Sequence, residues 1–116
     1  MSRKISGGKY KKARKLKKTE RKIQSRLVKL GKEKKKKIRM RSGKEKTVLL
    51  STDKVNVFDK KNNKSMVVKI NSVLETPANR FLRHFLIKGA IIDTEKGKAI
   101  ITNRPGQEGS VQAILI

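Results

Sequence analysis

Cationic charge gathered into one stretch constrains this chain more than any other feature. Residues 1–46 hold 22 Lys or Arg against Glu20, Glu33 and Glu45, a net of +19, whereas residues 47–116 hold 11 against six acids, a net of +5. Like charges at that density oppose compaction, so a core must use only part of the chain, and the first segment is expected to stay disordered until a counter-charged partner arrives. Its blocks are Lys11-Lys12, Lys17-Lys18 and Lys34 to Lys37. Leu16, Ile23, Leu27 and Leu30 recur at spacings of seven, four and three, which predicts one side of a helix formed on docking. Ser6-Gly7-Gly8, Gly31 and Ser42-Gly43 punctuate the segment, since glycine lets the chain turn or approach another backbone closely. The chain therefore divides near Lys46 into a basic arm, residues 1–46, disordered or partly helical when free, and a body, residues 47–116.

The body reads as short β-rich segments separated by turn chemistry. Strands are predicted at Thr47 to Ser51, Val55 to Phe58, Ser65 to Leu74, Ala90 to Thr94, Lys98 to Asn103 and Ser110 to Ile116. In the third of these Met66, Val68 and Ile70 alternate with Val67, Lys69 and Asn71, leaving one face the more apolar. Thr52-Asp53-Lys54 and Glu95-Lys96-Gly97 are tight connections, and Asp59 to Lys64 is a polar loop. Thr76-Pro77 predicts a helix start, with Thr as N-cap and Pro where a backbone donor would go unused, and the helix is expected to run to about Leu86. Phe81, Leu82, Phe85 and Leu86 would share its apolar arc, opposite Arg80 and Arg83. The expected fold is mainly β: a small antiparallel six-stranded β-barrel with one short helix, preceded by the basic arm, since barrel closure hides sheet edges.

Composition narrows the chemistry. A net charge of +24 in 116 residues is that of a protein working beside a polyanion. The absence of Cys excludes disulfides, thiolate metal sites and cysteine nucleophiles, and a single His argues against a histidine-ligated metal. No apolar run approaches the roughly 20 residues of a membrane-spanning helix. The opening MSRKISGGKY lacks an apolar secretory stretch, and Ser2 stands where myristoylation needs glycine, so a cytoplasmic protein is expected. His84 stands alone, while Asp53, Asp59, Asp93 and Glu95 are scattered among turns and strand ends. The roles required for catalysis are missing, and no enzyme activity, cofactor or small-molecule substrate is expected.

What the residues do suit is the backbone of a nucleic acid. Each Lys or Arg that neutralises a phosphate releases condensed counterions, which supplies affinity without sequence reading. The candidate RNA-binding residues of the arm are Arg3, Lys4, Lys9, Lys11, Lys12, Arg14, Lys15, Lys17, Lys18, Arg39, Arg41 and Lys44. Those of the body are Arg80, Arg83, Lys88 and Arg104. Arginine is singled out because its planar fork makes bidentate phosphate contacts and stacks on bases. Arg39 and Arg41 also suit an edge strand protected by charge, and Arg80 and Arg83 an exposed helix face. Arg104 precedes Pro105-Gly106 in a loop with Gly109, where amides can approach a phosphate, although an ordinary turn explains the same residues. Tyr10, Phe58, Phe81 and Phe85 are the only aromatics, and the three Phe are assigned to the core. Recognition is therefore expected through backbone and shape rather than base stacking on aromatics.

Several motifs carry a resemblance. Ser2-Arg3-Lys4 with Ser6-Gly7-Gly8, then Lys37-Ile38-Arg39 with Arg41-Ser42-Gly43, resemble the basic opening and pre-strand segment of the small-subunit ribosomal protein S8e family of archaea and eukaryotes. More specific are Val73-Leu74-Glu75 with Pro77-Ala78-Asn79, Lys88-Gly89-Ala90-Ile91-Ile92, Gly97-Lys98-Ala99, and Arg104-Pro105-Gly106-Gln107 with Gly109. The resemblance covers nearly the whole chain, at the short archaeal length. Residues 13 to 36 depart from it most, being richer in Lys. It implies a structural constituent of the small ribosomal subunit that binds and stabilises rRNA, with small-subunit rRNA and neighbouring ribosomal proteins as partners. A general nucleic-acid architectural protein is the alternative, and an RNA-processing nuclease a third.

Overall fold

The computed structural model describes residues 2–11, 13–22, 26–77 and 82–116. Their regular structure is almost entirely β. Strands β1 (Val28–Leu30), β2 (Lys34–Arg39), β3 (Glu45–Thr52), β4 (Lys54–Asp59), β5 (Lys64–Glu75), β6 (Phe85–Leu86), β7 (Ile91–Thr94), β8 (Gly97–Ile101) and β9 (Gln112–Leu115) follow one another along the chain. Three-residue 3-10 turns occur at Lys18–Glu20 and Arg41–Gly43.

All six strands expected of the body are present, but only five close the barrel, in the order β4-β5-β7-β8-β9. The six-stranded expectation fails because β3 turns away after Thr52 and pairs instead with β2 and, in parallel, with β1. Its place beside β4 is taken by β9, which runs parallel to β4 with Val57 opposite Ala113. This parallel seam closes a sheet whose other four pairings are antiparallel. Strand β5 reaches both its neighbours because register breaks between Ile70 and Ser72 and between Val73 and Glu75 let it curve. Its alternation is as expected, with Val68 and Ile70 buried while Val67, Lys69 and Asn71 are exposed.

The barrel interior is filled by small and β-branched side chains. Val55, Val57, Val68, Ile70, Ile92, Ala99, Ile101 and Ala113 are all at most 5 % exposed. Such residues suit strands, and the alternation that points Val55 and Val57 inward turns Phe58 outward. Phe58 is accordingly 37 % exposed, on the outer face of β4, rather than in the core as its apolarity suggested. Phe85 is half-buried, and Phe81 lies outside the described residues.

The second sheet has the order β2-β3-β1-β6 and joins segments from both sides of Lys46. Val28 of β1, Leu49 of β3 and Leu86 of β6 belong to the same buried cluster as the barrel residues. Val28 pairs with Leu86 and Lys29 with Ser51. Leu30 thus lies in a strand rather than on the apolar side of a helix, because burial between two existing strands outweighs the weak helical spacing of four arm residues. The helix expected to run to about Leu86 does not reach it: Phe85–Leu86 is a strand, because Leu86 is drawn into the core beside Val28. Residues 78–81 of that expected helix lie outside the described residues.

Candidate nucleic-acid interface

Cations are spread over three surfaces, beginning with residues 2–22, where no described side chain is buried. Arg3 and Lys9 form an antiparallel bridge around a tight turn in which the Gly7 amide donates to the Lys4 carbonyl at 2.8 Å and the Lys4 amide to Gly8 at 2.9 Å. Gly7, at φ +79°, makes that turn without a Cβ penalty. The turn presents Arg3, Lys4 and Lys9 together, with the Lys4 ammonium 5.8 Å from the centre of the Tyr10 ring. Lys11, Lys15, Lys17 and Lys18 are exposed; Lys12 lies outside the described residues.

Arg14 is occupied within the arm itself. Its guanidinium donates two bonds of 2.7 Å to the Glu20 carboxylate, which also accepts from the Lys17 amide at 3.0 Å. Arg14 first and the Lys17 amide second hold the Glu20 carboxyl below its ordinary pKa, and Glu20 raises that of Arg14. This clasp closes the 3-10 turn at Lys18–Glu20. Both partners are exposed, so water screens the pair and its role is to shape the arm more than to stabilise the fold.

The second surface is the outer edge of the second sheet. Lys34 to Lys37 and Arg39 lie along β2, whose free edge is thereby protected from pairing with another chain. Two of these charges meet acids, Lys35 with Glu33 and Lys37 with Glu45 at 3.6 Å. Arg41 and Lys44 flank the turn after β2, with Ser42 in the left-handed conformation at φ 63°.

The third surface is a cleft built by tertiary contact. Asn103 pins the loop between β8 and β9 at both ends: its amide group donates to the Ser110 carbonyl at 2.8 Å and to Glu108 at 3.0 Å, and its oxygen accepts from the Gln112 amide at 3.0 Å. Inside the loop the Gln107 and Glu108 amides both donate to the Arg104 carbonyl, and Pro105 is fully buried. The two loop glycines face protein backbone. A Cβ on Gly106 would lie 2.5 Å from the Arg26 carbonyl oxygen, and one on Gly109 3.2 Å from that of Thr47. The close approach that these glycines permit is therefore to Arg26 and Thr47, not to an external phosphate. Lys88 projects from a turn on the other side of the cleft, where the Ala90 amide donates to the Ile87 carbonyl at 3.0 Å and Gly89 adopts φ +84°.

The result is a space of about 580 Å³ bordered by Arg26, Leu27, Lys46, Leu86, Ile87, Lys88 and the Arg104–Gln107 loop. It brings together two of the expected residues, Lys88 and Arg104, with two that sequence reading missed, Arg26 and Lys46. Nothing local marks Arg26 and Lys46 among 22 cations in 46 residues; only the fold selects them. Among the described residues, the arm cations from Arg3 to Lys18 do not line this cleft, nor does Arg83, which is exposed in the turn before β6. Arg80 lies outside the described residues.

Chemistry beyond charge is sparse. Among the described residues no group of three or more His, Asp or Glu lies together as a metal site would require. His84 is exposed, and Asp93 accepts a long bond of 3.4 Å from Asn71. Among the described residues no helix is long and apolar enough to cross a membrane.

With this geometry in place, comparison with known proteins is decisive. The sequence matches the family "Ribosomal protein S8e" over residues 1–116. The chain belongs to this family. Among its relatives, the small ribosomal subunit protein eS8 of Methanocella arvoryzae is 39 % identical, across 99 % of this chain and 94 % of its own length. The eS8 protein of Methanococcus aeolicus is 45 % identical, across 98 % and 91 %. That of Methanocorpusculum labreanum is 43 % identical, across 98 % and 93 %. Membership in S8e agrees with the motifs between Val73 and Gly109 and with the expectation of a structural rather than catalytic protein. In this S8e chain the Arg104-Pro105-Gly106-Gln107 motif with Gly109 seats the β8–β9 loop against Arg26 and Thr47.

Proposed function

We propose that this protein is a structural constituent of the small ribosomal subunit that binds and stabilises rRNA, and that it works in the cytoplasm. One observation carries the reading beyond family membership. Residues 2–22 hold 11 Lys or Arg against a single acid, and no described side chain among them is buried. A segment of that composition does not contribute to the core; its cost in self-repulsion is offset when phosphates replace its counterions.

In this reading the arm, residues 1–46, tracks rRNA backbone through Arg3, Lys4, Lys9, Lys11, Lys12, Lys15, Lys17 and Lys18, with Arg14 shaping the path through Glu20. Arg39, Arg41 and Lys44 extend the cationic surface along the second sheet. The body, residues 47–116, docks through Arg80, Arg83, Lys88 and Arg104. Neighbouring ribosomal proteins complete its surroundings.

The test is a salt wash of small subunits carrying either the full chain or one lacking residues 1–22. The truncated chain is expected to dissociate at distinctly lower salt. Equal retention would remove the arm from the reading. Equal affinity for duplex DNA and folded rRNA, without cosedimentation with subunits, would favour a general architectural protein instead.

A further inference from the structure

We propose that the cleft between the Arg26–Leu27 segment and the Arg104–Gln107 loop receives one unpaired nucleotide of an RNA strand, with its phosphate against the cations and its base against the apolar part of the lining. The inference rests on the rRNA-binding reading and names a site within it.

Four cations, Arg26, Lys46, Lys88 and Arg104, come from four separate segments and border one space of about 580 Å³. Among the described residues no acid borders it, and none of the four cations takes part in an ion pair. Convergence of like charges is unfavourable in the free protein, and it is relieved by an anion. The rest of the lining is different in kind: Leu27 is 38 % exposed and Ile87 half-buried, so open apolar surface lies beside the four cations. A phosphate alone would leave that surface wet, whereas a nucleotide covers both parts.

The state of the RNA follows from shape. Bases in a continuous duplex are stacked and edge-on, and they cannot reach the bottom of a cleft; unstacked bases of loops and bulges can. Among the described residues no aromatic borders the space, but the planar guanidinium groups of Arg26 and Arg104 provide alternative stacking surfaces. The walls are also fixed in advance, by the bonds of Asn103 on one side and the Ile87–Ala90 turn on the other. Little ordering remains to oppose binding.

Ultraviolet crosslinking of intact small subunits containing the full chain tests this, because such adducts form between a base and the side chains touching it. Mass spectrometry is expected to find nucleotide adducts within residues 26–27, 86–88 or 104–107, and reverse-transcription stops are expected to fall on an unpaired nucleotide. Adducts only elsewhere in the chain, or stops within continuous duplex, would overturn the proposal. The double variant Lys88→Gln with Arg104→Gln, incorporated to normal levels, is expected to lower the cleft adducts by at least about tenfold, the effect of losing even one of the two charge-assisted bonds. Unchanged yield with this variant defeats the proposal. A full chain that does not cosediment with subunits even at low salt defeats the rRNA-binding reading itself; a retained chain without cleft adducts defeats only the nucleotide site.

Discussion

Gly106 approaches Arg26 so closely that a Cβ would stand 2.5 Å from the Arg26 carbonyl oxygen. The obstructing atom is backbone, held just before β1, and cannot swing aside as a side chain would. Gly106→Ala must therefore displace either the β8–β9 loop or the entry to β1. The expected cost is about 1–3 kcal/mol, the usual range for overpacking a close contact. A lowered urea midpoint at unchanged slope checks it; full stability would mean the contact yields freely.

Leu86 tests the joint between the two sheets. It is buried beside Val28 and belongs to the cluster that includes barrel residues. Leu86→Ala is expected to destabilise by roughly 2–5 kcal/mol, because β6 is too short to close over the space left behind. Val67→Ala, on the exposed face of β5, is the matched control and should change stability by less than about 0.5 kcal/mol.

The arm separates binding from folding. Deleting residues 1–22 removes no described buried side chain, so thermal unfolding of the remaining chain should be nearly unchanged. Its affinity for rRNA should fall, and the slope of log affinity against log salt should flatten by about 0.7–0.9 for each phosphate left without its cation. A large drop in melting temperature would show that the arm also supports the core.

Two carboxylates should titrate low. The Lys61 amide, first, and the Asn62 side chain hold Asp59 below its ordinary pKa, as Arg14 does Glu20. A depressed folded-state value means that each contribution is fully present above the unfolded pKa and is lost as pH falls through the folded one. Carbon-detected NMR should therefore place both midpoints below the ordinary carboxylate range. Arg14→Gln should return Glu20 toward its ordinary value and leave Asp59 unmoved.

Much of the barrel was legible because period two is a local signal. Alternation between Met66 and Asn71, the tight connection Glu95-Lys96-Gly97 and the polar loop Asp59 to Lys64 each depend only on neighbouring residues, and the paired strands follow these connections to within a residue at each end. Thr94 even caps its own hairpin, its hydroxyl donating to the Gly97 carbonyl at 2.7 Å. The Thr76-Pro77 start signal was equally local, but the expected end of its helix depends on burial: Phe85–Leu86 is a strand. The cleft was only half legible. Arg104 precedes a recognisable Pro-Gly turn and Lys88 opens a motif shared with the family, whereas Arg26 and Lys46 are marked by nothing except position in space.

Sequence alone settled the charge division, the β character of the body, and the family, since all three reside in composition, short periods and local motifs. Tertiary structure decided which strands close the barrel, that Val28 crosses from the basic segment into the core, and that Gly106 and Gly109 face protein rather than phosphate. The physical reason is range. Alternation and turn chemistry act over a few residues, while the β4–β9 seam, the Val28–Leu86 pair and the approach of Gly106 to Arg26 join segments more than 50 residues apart. Such pairings are set by closing a common core, and no single segment encodes them.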